Sequence, residues 1–173
     1  TSTAIINGKA IIVPAGSSVS VSGNIVRING VIIDPNQPVK LIKLQKPVVL
    51  RLTVTDIHTI AFRNSANITC KNLAIRSLGL FFYKSVRVSF DQLKAEGVFV
   101  KVLGSGDISL AGMAKQQFVQ IRSSGDVDAS RLKGDSAKVT IGGSGDARVA
   151  VTRSLVVNIR GSGDVSYIGL PKI

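Results

Sequence analysis

The tetrapeptide Gly-Ser-Gly-Asp occupies residues 104–107, 143–146 and 161–164, and Ser-Ser-Gly-Asp occupies 123–126. Successive starts lie 19, 20 and 18 residues apart. A fixed period of that size is the mark of a repeat architecture, in which each repeat buries its apolar face only by stacking on the next.

The period extends beyond the tetrapeptide. Aligned on the apolar pair before each corner, the first members are Ile60, Leu80, Val100, Val119, Val139 and Val157, and the second are Phe62, Phe82, Val102, Ile121, Ile141 and Ile159. After the corner, Ile68, Val88, Ile108, Val127, Ala147 and Val165 share one position, and Cys70, Phe90, Leu110, Ala129, Val149 and Tyr167 share another. Leu73, Leu93 and Leu132 take related places on the return segment. Apolar residues two apart, with Lys101, Gln120, Thr140 or Asn158 between them, define strands with one buried face. No helical periodicity competes. The pattern predicts an all-β chain, a β-solenoid of about 19-residue coils stacked about 4.8 Å apart, with like side chains forming ladders. Ladders of Val100, Val119, Val139, Val157 and of Val102, Ile121, Ile141, Ile159 are expected to be buried.

The tetrapeptides then become corners joining two sides of a coil. Gly104, Gly106, Gly125, Gly143, Gly145, Gly161 and Gly163 are expected to supply positive φ at the turns. Ser65, Ser85, Ser105, Ser124, Ser144 and Ser162 occupy one slot in six coils, as a hydroxyl ladder serving turn backbone groups. Asp107, Asp126, Asp146 and Asp164 should lie along one edge with their carboxylates on turn N–H groups. A calcium-binding β-roll is not indicated, because Gly142-Gly-Ser-Gly-Asp146 places its acid one residue early; no metal and no cofactor are expected.

The reading takes residues 1–173 as one solenoid domain, with irregular N-terminal coils and a cap over 1–59 and regular coils over 60–173. Asn7-Gly8 and Asn29-Gly30 signal turns between apolar strands, and Asp34–Pro38 is the best internal loop. Ile42-Lys-Leu44, Pro47 and Leu50-Arg-Leu52 suit one further coil. Open solenoid ends expose strand edges, so a cap or a partner is required.

Composition narrows the function. The chain carries 22 Lys and Arg against 10 Asp and Glu, a formal net charge of +12. These cations are dispersed, and aromatics are too few and too little interleaved with them for specific nucleic-acid binding. No apolar run reaches the roughly 18 residues of a membrane-spanning helix. The single Cys70 excludes an internal disulfide. His58, the only histidine, has no indicated orienting partner for catalysis. Asp128 and Arg148 fall on matching outward positions, as a surface ion pair rather than a catalytic one.

The run from Gly104 to Pro171, ending Gly-Ser-Gly-Asp-Val-Ser-Tyr-Ile-Gly-Leu-Pro, resembles the bacterial auto-transporter-adhesin head GIN domain family. That resemblance implies a right-handed β-helical stack, an exported protein at the cell surface or in the periplasm, and a suggested role in adhesion with no established catalytic site. The function expected is non-enzymatic recognition of an anionic glycan or envelope polymer through a solenoid face. Arg63, Arg122 and Arg160, at one slot of three coils, are the candidate binding cations. Phe81, Tyr83 and Phe99 fall near outward slots, where a ring either stacks on a sugar or packs under the return segment. Two alternatives stay open: a structural protein that assembles as homo-oligomers through its ends or faces, and a carbohydrate-active enzyme.

Overall fold

A computed structural model describes residues 2–6, 9–13, 18–22, 25–33, 49–53, 58–62 and 66–173. All described regular structure is β: β1 (Ser2–Ile6), β2 (Lys9–Val13), β3 (Ser18–Ser22), β4 (Ile25–Ile33), β5 (Val49–Thr53), β6 (Thr59–Phe62), β7 (Ala66–Ala74), β8 (Ser77–Phe82), β9 (Val86–Val102), β10 (Gly106–Ile121), β11 (Asp126–Ile141), β12 (Ala147–Ile159) and β13 (Val165–Ile168). From β6 onward every pairing among these strands is parallel. The chain is a β-solenoid of about 5 turns, about 20 residues apart.

Each long strand is one bent coil. In β9 the in–out alternation holds over Val86–Phe90, breaks at Asp91-Gln92, and resumes from Val98 to Val102, with the buried Leu93 between. Those breaks are the bends that let one chain segment line three sides of the core. The ladders run in the expected register: Ile60 faces Leu80, then Val100, Val119, Val139 and Val157. Val139 and Ile141 are fully enclosed, at 0% exposure. The last rungs are not: Val157 is 36% and Ile159 43% exposed. The reason is geometric, since residues 156–159 of β12 pair with β11 on one side and with no described strand on the other. A ladder residue is buried by the rungs above and below it, and these rungs have one neighbour.

The Leu ladder holds a second surprise. Leu73 faces Leu93, Leu93 faces Gly112, and Gly112 faces Leu132. Gly112 sits at φ +130, and a Cβ there would meet the Leu93 carbonyl oxygen at 2.1 Å. The missing leucine is thus excluded by backbone geometry.

The corners differ from expectation in mechanism. Positive φ is found at Gly112 and Gly169 among the described glycines, neither of which belongs to a corner tetrapeptide. Corner glycines are needed for close approach: a Cβ on Gly145 would lie 2.1 Å from the Gly125 carbonyl oxygen, and one on Gly161 would lie 1.9 Å from that of Gly143. At these points the Cα–Cβ direction aims along the stack, into the neighbouring coil. The serine slot also works through its backbone. Ser105, Ser124, Ser144 and Ser162 are exposed, with the Ser144 N–H donating to Ser123 O (3.2 Å) and the Ser162 N–H to Gly143 O (2.9 Å). Among the described residues a corner hydroxyl does bond a carbonyl at Ser123, which donates to Gly104 O (2.7 Å). Ser85 is exposed at the equivalent turn, and Ser65 lies outside the described residues.

Two of the four corner acids serve N–H groups as expected, each one coil on. Asp126 Oδ1 accepts from the Asp146 N–H and Asp146 Oδ1 from the Asp164 N–H, both at 2.8 Å. Arg87 lies 3.7 Å from the Asp107 carboxylate. An amide oxygen can accept the same bond, so Asp146→Asn is expected to stay within about 0.5 kcal/mol of wild type in urea unfolding. Asp146→Ala should lose about 1 kcal/mol by stranding the Asp164 N–H. Equal stabilities of the Asn and Ala variants would contradict this role.

The coils are not equal in length, and the mismatch is managed inside. Ala129 faces Val149 but Lys133 faces Ala150, so Ser130–Leu132 have no opposite residues in β12. Gln117, 2% exposed in the otherwise apolar column Leu78, Val98, Gln117, Ala137, Leu155, reaches this site. Its Nε2 donates to Leu132 O (2.7 Å) and Ala150 O (3.2 Å), while its Oε1 makes no hydrogen bond. The amide brackets two carbonyls at the register slip. Gln117→Leu should therefore destabilise by about 2 kcal/mol in chemical denaturation, despite its apolar neighbours. A gain in stability would show that those carbonyls need no donor.

The N-terminal strands close the first end of the stack. β1 pairs antiparallel with β6, and β3 pairs parallel with β7, occupying both edges. β1 and β2 form the expected hairpin, with Ile6 facing Lys9. Asn29-Gly30 makes no turn: β4 runs through it, and Asn29 instead marks a register irregularity against β5. Leu50-Arg-Leu52 lies in β5, antiparallel to β4, so it caps rather than adding a coil. Asn7-Gly8, Asp34–Pro38, Ile42-Lys-Leu44 and Pro47 lie outside the described residues.

Candidate functional site

The side of the stack formed by β8 and the C-terminal parts of β9, β10, β11 and β12 buries Val98, Val100 and Val102 and their ladder partners up to Val139 and Ile141, so the residues between them face outward. Two outward columns cross the coils. One is Gly79, Phe99, Phe118, Lys138, Val156; the other is Phe81, Lys101, Gln120, Thr140, Asn158. A third column follows at the corner. The N–H groups of Leu103, Arg122, Gly142 and Arg160 each donate to the preceding coil, at Phe82 O, Val102 O, Ile121 O and Ile141 O.

Aromatic rings and cations share this surface. Phe99 is 36% exposed and Phe118 40% exposed, in directly facing positions of adjacent coils. Phe81 is half-buried, with its ring centroid 5.5 Å from that of Phe99 and the planes tilted by 37°. Of the two uses open to these rings from the sequence, packing under the return segment is not the contact seen for Phe81 and Phe99, which pack on one another at the outer surface of the side strands. Tyr83 is exposed at the same end. Lys138 and Arg122 are exposed and Lys101 is half-buried. Arg160 is exposed two coils from Arg122, with Gly142 between them as the sequence indicates. Arg63 lies outside the described residues. Phe118, Lys101 and Lys138 were not singled out from sequence as ligand contacts. Their signal was available, since each sits beside a buried ladder position and must point outward.

The other chemically distinctive groups have structural explanations. Cys70 is buried in the ladder facing Phe90, and burial pushes its thiol up to about 12, with the Asn72 N–H opposing and the Asp91 charge adding. It is no thiolate nucleophile at neutral pH. Asp128 faces Arg148 across adjacent coils, but Arg148 Nε donates to Ser166 Oγ (3.1 Å). Burial opposes ionisation of Asp128, yet hydrogen bonds from Ser130 and the charges of Arg148 and Arg131 outweigh it and hold the carboxyl below its usual range. His58 is exposed, and its carbonyl accepts the Gly79 N–H (2.8 Å). Among the described residues no three His, Cys, Asp or Glu gather where they could hold a metal ion.

A groove of about 400 Å³ lies on another part of the coils, lined by residues including Lys94, Lys115, Lys133, Asp135, Ala114 and Gly134. Its corner carries charges that alternate down the stack. Glu96 pairs with Arg76 (3.2 Å) and Lys115 (3.7 Å), and Asp135 with Arg153 (3.8 Å). Such exposed pairs contribute little individually.

Stacked parallel coils make this chain a β-solenoid, and its β8–β12 side carries exposed aromatic and basic residues. The chain belongs to the family described as "Putative auto-transporter adhesin, head GIN domain", whose model matches residues 11–171. That family is one of exported, adhesin-like proteins. No curated protein and no solved structure matches the chain. Among the described residues no helix is long and apolar enough to cross a membrane.

Proposed function

We propose that this protein is a non-enzymatic adhesion module that recognises an anionic glycan or envelope polymer through the outward face of β8–β12. The observation that carries this reading is the grouping of exposed Phe99 and Phe118 with Lys138, Arg122 and Arg160 on that face. Aromatic rings offer apolar contact to sugar rings, and guanidinium groups pair with carboxylates or sulfates in two-point geometry. A formal charge of +12 adds a long-range attraction to polyanions that salt weakens.

The test is binding to a glycan array and a heparin column across a salt series. Wild type should elute later than Arg122→Glu, whose affinity falls roughly tenfold, a change of about 1.4 kcal/mol, with an unchanged melting temperature. No binding, or binding indifferent to salt, would remove the charge argument. Cleavage of an acidic polysaccharide would overturn the non-enzymatic reading. Residues 156–159, which pair on one side only among the described residues and leave Val157 and Ile159 exposed, support self-association as a second reading. Sedimentation at rising protein concentration separates the two.

A further inference from the structure

Gly79 and Phe81 together extend the aromatic surface beyond what the columns alone imply. Gly79 stands in the column of Phe99 and Phe118 but offers no side chain. The Phe81 ring fills that place from the neighbouring column: a Cβ built on Gly79 would lie 2.9 Å from Phe81 Cε2, closer than real contacts allow. The same ring packs on Phe99 at 5.5 Å. Three rings from three successive coils thus form one track, and Lys138 takes the next place in it. Rungs of such a track are about 4.8 Å apart, the spacing of paired strands.

We propose that this track is a binding site for a linear saccharide chain lying along the solenoid axis, across the strands. Apolar faces of successive pyranose rings rest on Phe81, Phe99 and Phe118, and a carboxylate or sulfate meets Lys138. The direction follows from the neighbours. A chain laid along β10 would pass from Phe118 to Gln120 on one side and Gln116 on the other, touching one ring. A chain laid across the coils touches three. Single-stranded nucleic acid is disfavoured because its phosphates need cations along the whole path, whereas the in-line cation stands at one end. Gly79 is a positioning residue: its missing Cβ is what allows the Phe81 ring into line. This inference rests on the proposed use of the β8–β12 face and adds orientation, length and ligand class.

Titration calorimetry tests it with uronate-containing oligosaccharides (hyaluronan and polygalacturonate series, disaccharide to octasaccharide), neutral cello-oligosaccharides, and polyphosphate as a charge-only probe. Affinity for a uronate series should rise from disaccharide to tetrasaccharide and then level off. Phe118→Ala should lower saccharide affinity roughly tenfold, the equivalent of about 1.4 kcal/mol, and leave polyphosphate binding unchanged. Gly79→Ala should weaken the longer saccharides and spare the disaccharide, with its melting temperature checked against wild type. Lys138→Gln should affect uronates and not cello-oligosaccharides. Salt-sensitive uronate binding that ignores chain length and Phe118 would overturn the track while leaving the basic face standing. Failure of every saccharide to bind would overturn both.

Discussion

Gly145→Val is expected to abolish the native stack, with a loss exceeding about 4 kcal/mol and no cooperative unfolding transition at 25 °C. The first added carbon alone would sit 2.1 Å from the Gly125 carbonyl oxygen and 2.9 Å from its carbon. Backbone atoms on both sides are fixed by parallel pairing of β10, β11 and β12, so neither can yield without breaking ladder bonds. The matched control is three residues away. A Cβ on Gly142 meets nothing closer than Ile121 O at 3.9 Å, so Gly142→Ala should stay within about 0.5 kcal/mol of wild type or gain slightly. Urea unfolding followed by circular dichroism reads both. A Gly145→Val protein as stable as Gly142→Ala would refute the tight corner.

The next largest effect belongs to the core. Ile141→Ala removes a side chain that is 0% exposed and held between Ile121 and Ile159, and should destabilise by about 2–4 kcal/mol. Thr140→Ala, on the outward side of the same strand, should be nearly neutral. Ile159→Ala is the informative third case. It occupies the same ladder at 43% exposure, where the lost apolar burial is partial, and should lose about 1 kcal/mol. Three equal values would mean that the ladder does not act as a graded core.

How much of this was legible follows from where each residue's environment comes from. Ladder positions repeat because each coil repeats its neighbour, so Val100 and Val119 announce Val139 without reference to the rest of the chain. Residues 156–159 are different: Val157 reads like Val139, but among the described residues it has a ladder neighbour on one side only. At the corners, composition identified the turn but not its constraint. Glycine selected for positive φ and glycine selected for coil-to-coil approach look alike in sequence, and Gly145 belongs to the second kind. In the N-terminal strands, local turn chemistry was overridden by pairing, since Asn29-Gly30 lies within β4 alongside β5. Gln117 carried a readable sign, a polar residue in the column of Leu78, Val98, Ala137 and Leu155. Its purpose depends on a register slip between β11 and β12 that the alignment does not reveal. The aromatic surface was seen in part. Phe81 and Tyr83 stood out near the corner, whereas Phe118 hid in a column that also contains Gly79 and Lys138.

Hydrogen-exchange footprinting of the bound protein addresses the proposed adhesive face most directly. With the tightest-binding acidic oligosaccharide at saturation, added protection should fall on β8 and on residues 98–102, 117–121 and 137–141. The Lys94, Lys115 and Lys133 groove should exchange as in the free protein. Protection confined to that groove, or to the 156–159 edge, would contradict the account.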